Sequence, residues 1–181
     1  VVLSHDSGLF AVNDFGELER SYWDSNTWQQ ETIPHWGADL VPGSLVQGEA
    51  GEKIYGVNTA GQVFTTWSDN GVIGFALIDP PGGVNVRPYS LVMSHDSGLF
   101  AVSANGALQR FYWVPGPGWQ RQNIPHWGAD LVSGSLVRGE AGEKIYGVNA
   151  DGKIFTTWKD NGVITFALID PPGGVSVDPD S

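Results

Sequence analysis

The chain is one unit written twice. The segment from Ser4 to Val12 reappears unchanged from Ser94 to Val102, and Ile33 to Val41 reappears from Ile124 to Val132. Glu49 to Asn58 returns from Glu140 to Asn149, and Asp79 to Gly83 returns from Asp170 to Gly174. One residue of slippage, between Trp23 and Trp28, separates the copies. A fixed period specifies a repeat architecture, and any site built by one unit recurs in the other.

A shorter period lies inside the long one. Ser44-Leu45-Val46 aligns with Ser90-Leu91-Val92, and the segments at 53–58 and 60–64 fall beside 98–103 and 105–109. The chain therefore holds four modules of about 45 residues, alternating A-B-A-B. Each module carries the same punctuation. An apolar run ends in a polar turn (residues 4–8 or 48–52), and a second run follows (9–12 or 54–57). A turn with glycine (13–16 or 58–61) leads to an alternating aromatic run (18–23 or 63–67), then a short turn and a fourth run (28–33 or 72–78). Short runs rich in Val, Ile, Phe, Tyr, Trp and Thr, cut by Gly, Asn, Asp and Ser, read as strands. No capped amphipathic helix competes with them. Four strands per module at this period predict an all-β fold, a β-propeller of four-stranded blades. The chain supplies four blades in two tandem repeats, residues 1–90 and 91–181, which together make a single propeller-type domain. An immunoglobulin-like sandwich is the alternative, but it does not account for the recurrence.

The net charge is −11, with only 9 Lys and Arg, so the cationic footprint that nucleic-acid binding requires is missing. No stretch is long and apolar enough for membrane insertion, and no cysteine is present for a disulfide or thiolate site. Nothing in the sequence calls for a cofactor or a metal. Asp69-Asn70-Gly71 and Asp160-Asn161-Gly162 lack the spacing of a calcium loop and read as hairpin turns. The N-terminus begins in a strand, and Ser181 stands where the next copy of Val1 would follow. Two closures satisfy such ends: four blades within one chain, or two chains meeting head to tail as a homodimeric ring. The reading leans to the second, because uncovered blade faces and strand edges must be closed off.

All eight tryptophans fall in matched pairs: Trp23 with Trp113, Trp28 with Trp119, Trp36 with Trp127, and Trp67 with Trp158. Trp67 and Trp158, in regular strands, read as core packing. Trp36 and Trp127 sit in connections between modules, beside His35 and Asp39, or His126 and Asp130. Connections lie on the surface and carry function disproportionately. An exposed indole there offers a flat apolar face with a donor at its edge. A pyranose presents the complement, an apolar C–H face with a rim of hydroxyls that Asp, His and Arg can bond. These residues form the first candidate ligand-binding group. Arg20, Trp23 and Trp28, with Arg110, Trp113 and Trp119, form the second.

The run from Leu9 to Trp28, with its Gly16 turn and Trp23-Asp24-Ser25-Asn26-Thr27-Trp28, resembles a blade of the fungal and bacterial fucose-lectin β-propellers. The B modules, with Tyr55-Gly56-Val57-Asn58 and then Val63-Phe64, look more like tectonin-type lectin repeats. The resemblance implies a propeller with aromatic platforms and glycans as partners. In those lectins an Arg on the second strand and a Glu on the third hold the sugar. Here Phe10 and Phe100, then Arg20 and Arg110, stand in those places, so fucose specificity is not implied. The two arginines read equally as replacement donors or as partners of neighbouring carboxylates.

Catalysis is not expected. Ser4-His5-Asp6 holds the residue types of a nucleophilic relay, but adjacent strand residues face opposite ways. His5 and His95 read as turn histidines bonding backbone, and Glu49 with Glu52 (Glu140 with Glu143) as decoration of an exposed hairpin. The expectation is a non-catalytic, multivalent carbohydrate-binding lectin. The alternative is a protein-interaction or scaffold propeller, with a glycoside hydrolase behind both.

Overall fold

The computed structural model describes residues 1–34, 39–125 and 130–178. All regular structure among them is strand, in four separate four-stranded antiparallel sheets. Blade 1 holds β1 (Val2–Leu3), β2 (Leu9–Val12), β3 (Leu18–Asp24) and β4 (Thr27–Ile33). Blade 2 holds β5 (Val46–Gln47), β6 (Ile54–Val57), β7 (Val63–Asp69) and β8 (Val72–Leu77). Blade 3 holds β9 (Val92–Met93), β10 (Leu99–Val102), β11 (Leu108–Val114) and β12 (Gly118–Asn123). Blade 4 holds β13 (Val137–Arg138), β14 (Ile145–Val148), β15 (Ile154–Asp160) and β16 (Val163–Leu168). In each sheet the strands lie in chain order.

Turn chemistry explains these boundaries. Asn70 and Gly71 at φ 49° and 82°, and Asn161 and Gly162 at 47° and 83°, make the two-residue hairpins that end β7 and β15. Positive φ at both central positions is the type I′ geometry whose twist suits paired strands. A Cβ on Gly71 would meet nothing within 4 Å, so the backbone alone sets the cost of filling it. Gly71→Ala is therefore expected to lower stability by about 1–2 kcal/mol, read as a shift in the urea midpoint. At the preceding hairpins an amide oxygen does the organising. Asn58 Oδ1 accepts from Ala60 N and Gln62 N at 3.1 and 2.8 Å, and Asn13 repeats the arrangement in blade 1. This is the Asx turn, which satisfies the turn's own amides.

The short first strands touch in the order β1, β5, β9, β13, which places them innermost. Between successive blades lie three apolar seams. Phe10, Leu18, Ile33, Ile54 and Phe64 fill the first, between blades 1 and 2. Tyr55, Val57, Ile78, Met93, Leu99 and Phe111 fill the second, between blades 2 and 3. Phe100, Leu108, Ile124, Ile145 and Phe155 fill the third. Among the described residues no comparable cluster joins blade 4 to blade 1, and β13 makes no comparable contact with β1. The four blades form an open arc rather than closing on themselves.

Burial along a strand follows from this wedge arrangement. In β7 the residues from Val63 to Thr66 are buried on both faces, and Trp67, Ser68 and Asp69 are exposed. Neighbouring sheets sandwich the inner part of each blade and leave the outer hairpin tips uncovered.

Candidate functional site

The tryptophans of β3, β7, β11 and β15 sit where the strands leave the sandwich. Trp67 is 41% exposed and Trp158 39%, so the reading of Trp67 and Trp158 as core packing is corrected. Their strand ends project beyond the reach of the next blade. At the seam between blades 2 and 3 these tips enclose a groove of about 400 Å³. Lys53, Thr65, Trp67 and Leu77 line it from blade 2, and Trp113 and Trp119 from blade 3. Trp113 and Trp119 face each other across β11 and β12 and meet edge to face, with centroids 5.6 Å apart at 76°. Trp119 is half-buried because it reaches over the seam to Tyr55, edge to face at 6.3 Å. Edge-to-face contacts hold the rings at fixed angles, and here they leave an indole surface open to the groove.

A polar ledge runs beside the aromatic wall. Lys53 Nζ donates to Glu49 Oε1 at 3.0 Å, and Tyr55 Oη donates to Glu49 Oε2 at 3.1 Å. Burial first, and then the Glu49 charge, push the Tyr55 phenol well above its ordinary range, so it remains a donor. Apolar rings on one side and the Lys53 ammonium, held by Glu49, on the other can take a ring-shaped ligand with one greasy face and a hydroxylated rim. The sequence pointed to Trp113 and Trp119, whereas Lys53, Thr65, Trp67 and Leu77 were missed. The signal available for Trp67 was its position two residues before the Asp69-Asn70-Gly71 turn, at a strand tip.

Of the first candidate group, His35, Trp36, His126 and Trp127 lie outside the described residues. Asp39 and Asp130 are exposed, and their carbonyls accept from Thr59 N and Ala150 N, both at 2.9 Å. Leu40, next to Asp39, bridges Asn58 at the β6–β7 turn. Trp67 stands at the other end of β7, so Asp39 and the tryptophan groove occupy opposite ends of the blades. Trp23 and Trp28 form an edge-to-face pair on blade 1, at 5.5 Å and 77°.

The arginines join blades. Arg20 reaches across the first seam to Glu52 at 2.5 Å and across its own hairpin to Glu31 at 3.0 Å, with its guanidinium 4.2 Å from the Tyr22 ring. Burial opposes its charge, but the hydrogen bonds it donates to Glu31 and Glu52, with their negative charges, outweigh that and hold Arg20 above its ordinary value. Arg110 binds Glu143 across the third seam and lies 4.5 Å from the Tyr112 ring. Carboxylates of the next blade thus engage both guanidiniums. The reading of Glu52 and Glu143 as exposed decoration is corrected, since both side chains are buried. Glycine makes this possible, because a Cβ on Gly98 would stand 2.5 Å from Glu143 Oε2. His5 Nε2 and His95 Nε2 hydrogen-bond Gly48 O and Gly139 O, at 3.0 and 3.1 Å, in the adjacent blades. Among the described residues no three acidic or histidine side chains gather as a metal site.

No family model and no curated protein matches the sequence. Solved structures do match the fold. The WD40 domain of SCAP from fission yeast aligns at a TM-score of 0.59 and 12% identity, over 98% of this chain and 42% of the other. YCF48 from Cyanidioschyzon merolae aligns at 0.58 and 14%, over 92% of this chain and 54% of the other. AofleA from Arthrobotrys oligospora aligns at 0.50 and 16%, over 83% and 49%. At these identities the likeness is one of fold, a β-propeller, and the chain spans about half the length of the structures it matches.

Proposed function

We propose that the chain is a non-catalytic carbohydrate-binding propeller that takes a pyranose in the groove between blades 2 and 3. The observation that carries this reading is the meeting of Trp67, Trp113 and Trp119 in one groove with Lys53, whose ammonium Glu49 holds in place. A sugar ring stacks its C–H face on indole and directs its hydroxyls to charged donors and acceptors, whose bonds are the stronger kind. The resemblance of the first blade to fucose-lectin blades supports the aromatic platform. It does not support the sugar those lectins hold, because Phe10 and Arg20 stand in place of the clamp and Arg20 is engaged by Glu52. The carboxylates also favour binding over hydrolysis. Hydrolysis calls for a pair of free carboxyls at a set spacing. Glu49 is held by Lys53 and Tyr55, and Glu52 by Arg20.

An array of immobilised neoglycoconjugates tests the proposal, with tryptophan fluorescence titration of each hit. Trp113→Ala is expected to weaken the best ligand by at least about tenfold, equal to ~1.4 kcal/mol, while the strand spectrum by circular dichroism stays unchanged. A blank array, or affinity indifferent to both Trp113→Ala and Trp67→Ala, would sink the reading. Chromogenic glycosides are expected to remain intact.

A further inference from the structure

We infer that a second copy of this chain covers the two open blade faces, closing an eight-bladed ring, and that the closure builds two more tryptophan grooves from residues of both copies. The duplication supplies the template. The seam between blades 2 and 3 joins a B module to the A module that follows it. Blade 4 is the second copy of blade 2, and blade 1 is the first copy of blade 3. The two uncovered faces are therefore sequence copies of the two faces already packed together at the middle of the arc.

Side chains keep that pairing. On blade 3, Leu91, Met93 and Leu99 are buried against blade 2, and their equivalents on blade 1, Val1, Leu3 and Leu9, are exposed. Met93 is 6% exposed against 53% for Leu3. On blade 2, Tyr55, Val57, Val63 and Ile78 are buried, whereas Tyr146, Val148, Ile154 and Ile169 on blade 4 are only half-buried. Contiguous apolar faces of this kind mark an interface. Ser21 stands where blade 3 has Phe111, and Gln30 where it has Arg121, which donates to Gly82 O and Gly83 O across the middle seam; a hollow of about 320 Å³ beside Leu9, Ser21, Trp28 and Gln30 lies at these positions.

The backbone is already arranged for the crossing. Between blades 2 and 3 the linker is anchored by Val86 N donating to Gly61 O at 2.8 Å, and then pairs with Ser103 of blade 3. After blade 4, Val177 N donates to Gly152 O at 2.9 Å, so the equivalent linker runs along the same course. The contact joins unlike faces, yet the twofold arrangement closes because each copy supplies one of each. Each new seam sets Trp158, Ala167 and Leu168 of one copy against Trp23 and Trp28 of the other, the equivalents of Trp67, Ala76 and Leu77 against Trp113 and Trp119. The ring stands without the saccharide reading, and only the purpose of the two added grooves rests on it.

Light scattering on the 181-residue chain at about 100 μM is expected to give twice the single-chain mass of 19.4 kDa. Leu9→Glu on blade 1 and Val137→Glu on blade 4 each spoil both junctions of the pair, so each variant is expected at the single-chain mass with its strand spectrum retained. Mixing the two variants leaves one junction with both faces intact, and the double mass is expected to return. Single-chain mass for the unmodified protein overturns the inference. So does a double mass that survives both substitutions, or a ladder of larger multiples. A blank glycan array with the double mass intact removes only the saccharide reading. A monomer that still binds sugar in a manner sensitive to Trp113→Ala removes only the ring.

Discussion

Glu143→Ala is expected to destabilise the fold by about 3–5 kcal/mol, the range for removing one partner of a buried ion pair. The Glu143 side chain is fully buried and accepts from Arg110 and, at 2.6 Å, from Ser94 Oγ. Its loss leaves the Arg110 guanidinium in a seam with no second carboxylate, because Gln122 stands opposite on β12. The equivalent Glu52→Ala is expected to cost less. Arg20 keeps Glu31 on the opposite strand, at 3.0 Å and partly in solvent. Matching residues of the two copies thus differ in consequence through their neighbours, the second carboxylate beside Arg20 and the Ser94 hydroxyl on Glu143. Urea unfolding of both variants measures the difference. Equal losses would show that the second carboxylate contributes nothing. Replacing Arg110 and Glu143 together by Met and Leu is expected to recover much of the loss, since no uncompensated charge is then left buried.

The second large effect separates two leucines that the sequence makes equivalent. Leu99→Ala is expected to lower stability by about 3 kcal/mol, because it opens a cavity in the seam between blades 2 and 3. Leu9→Ala, at the matching position of blade 1, is expected to cost within about 0.5 kcal/mol in the isolated chain. Leu9 is 37% exposed and Leu99 fully buried. Ring closure would change the second number, since an interface residue acquires a stability effect that depends on protein concentration. Unfolding at low and at high concentration reads both leucines in one experiment. A Leu9→Ala loss as large as that of Leu99→Ala even at high dilution would contradict the open arc.

Much of the fold was legible because it is local. The strand runs at 9–12 and 54–57 coincide with β2 and β6, since alternating β-branched and aromatic residues between Gly and Asn turns leave little else to form. The hairpin at Asn70-Gly71 was legible for the same reason, a positive φ at two successive positions. The candidate site was legible only in part. Trp113 and Trp119 stood out by pairing across the duplication, but Lys53, Thr65 and Leu77 come from a different blade and meet them only across a seam. Glu52 was misread because a carboxylate two residues before a strand resembles surface decoration until the arginine of the preceding blade is placed against it.

The amino-acid sequence by itself determined the period, the four strands of each blade and the turns between them. Each of these depends on side-chain alternation and backbone freedom within a few neighbouring residues. Tertiary structure alone decided which member of each duplicated pair is buried, which arginine has a spare carboxylate, and which tryptophan tips converge on a groove. Burial and convergence depend on what lies across a seam, and two copies of one sequence find different neighbours there.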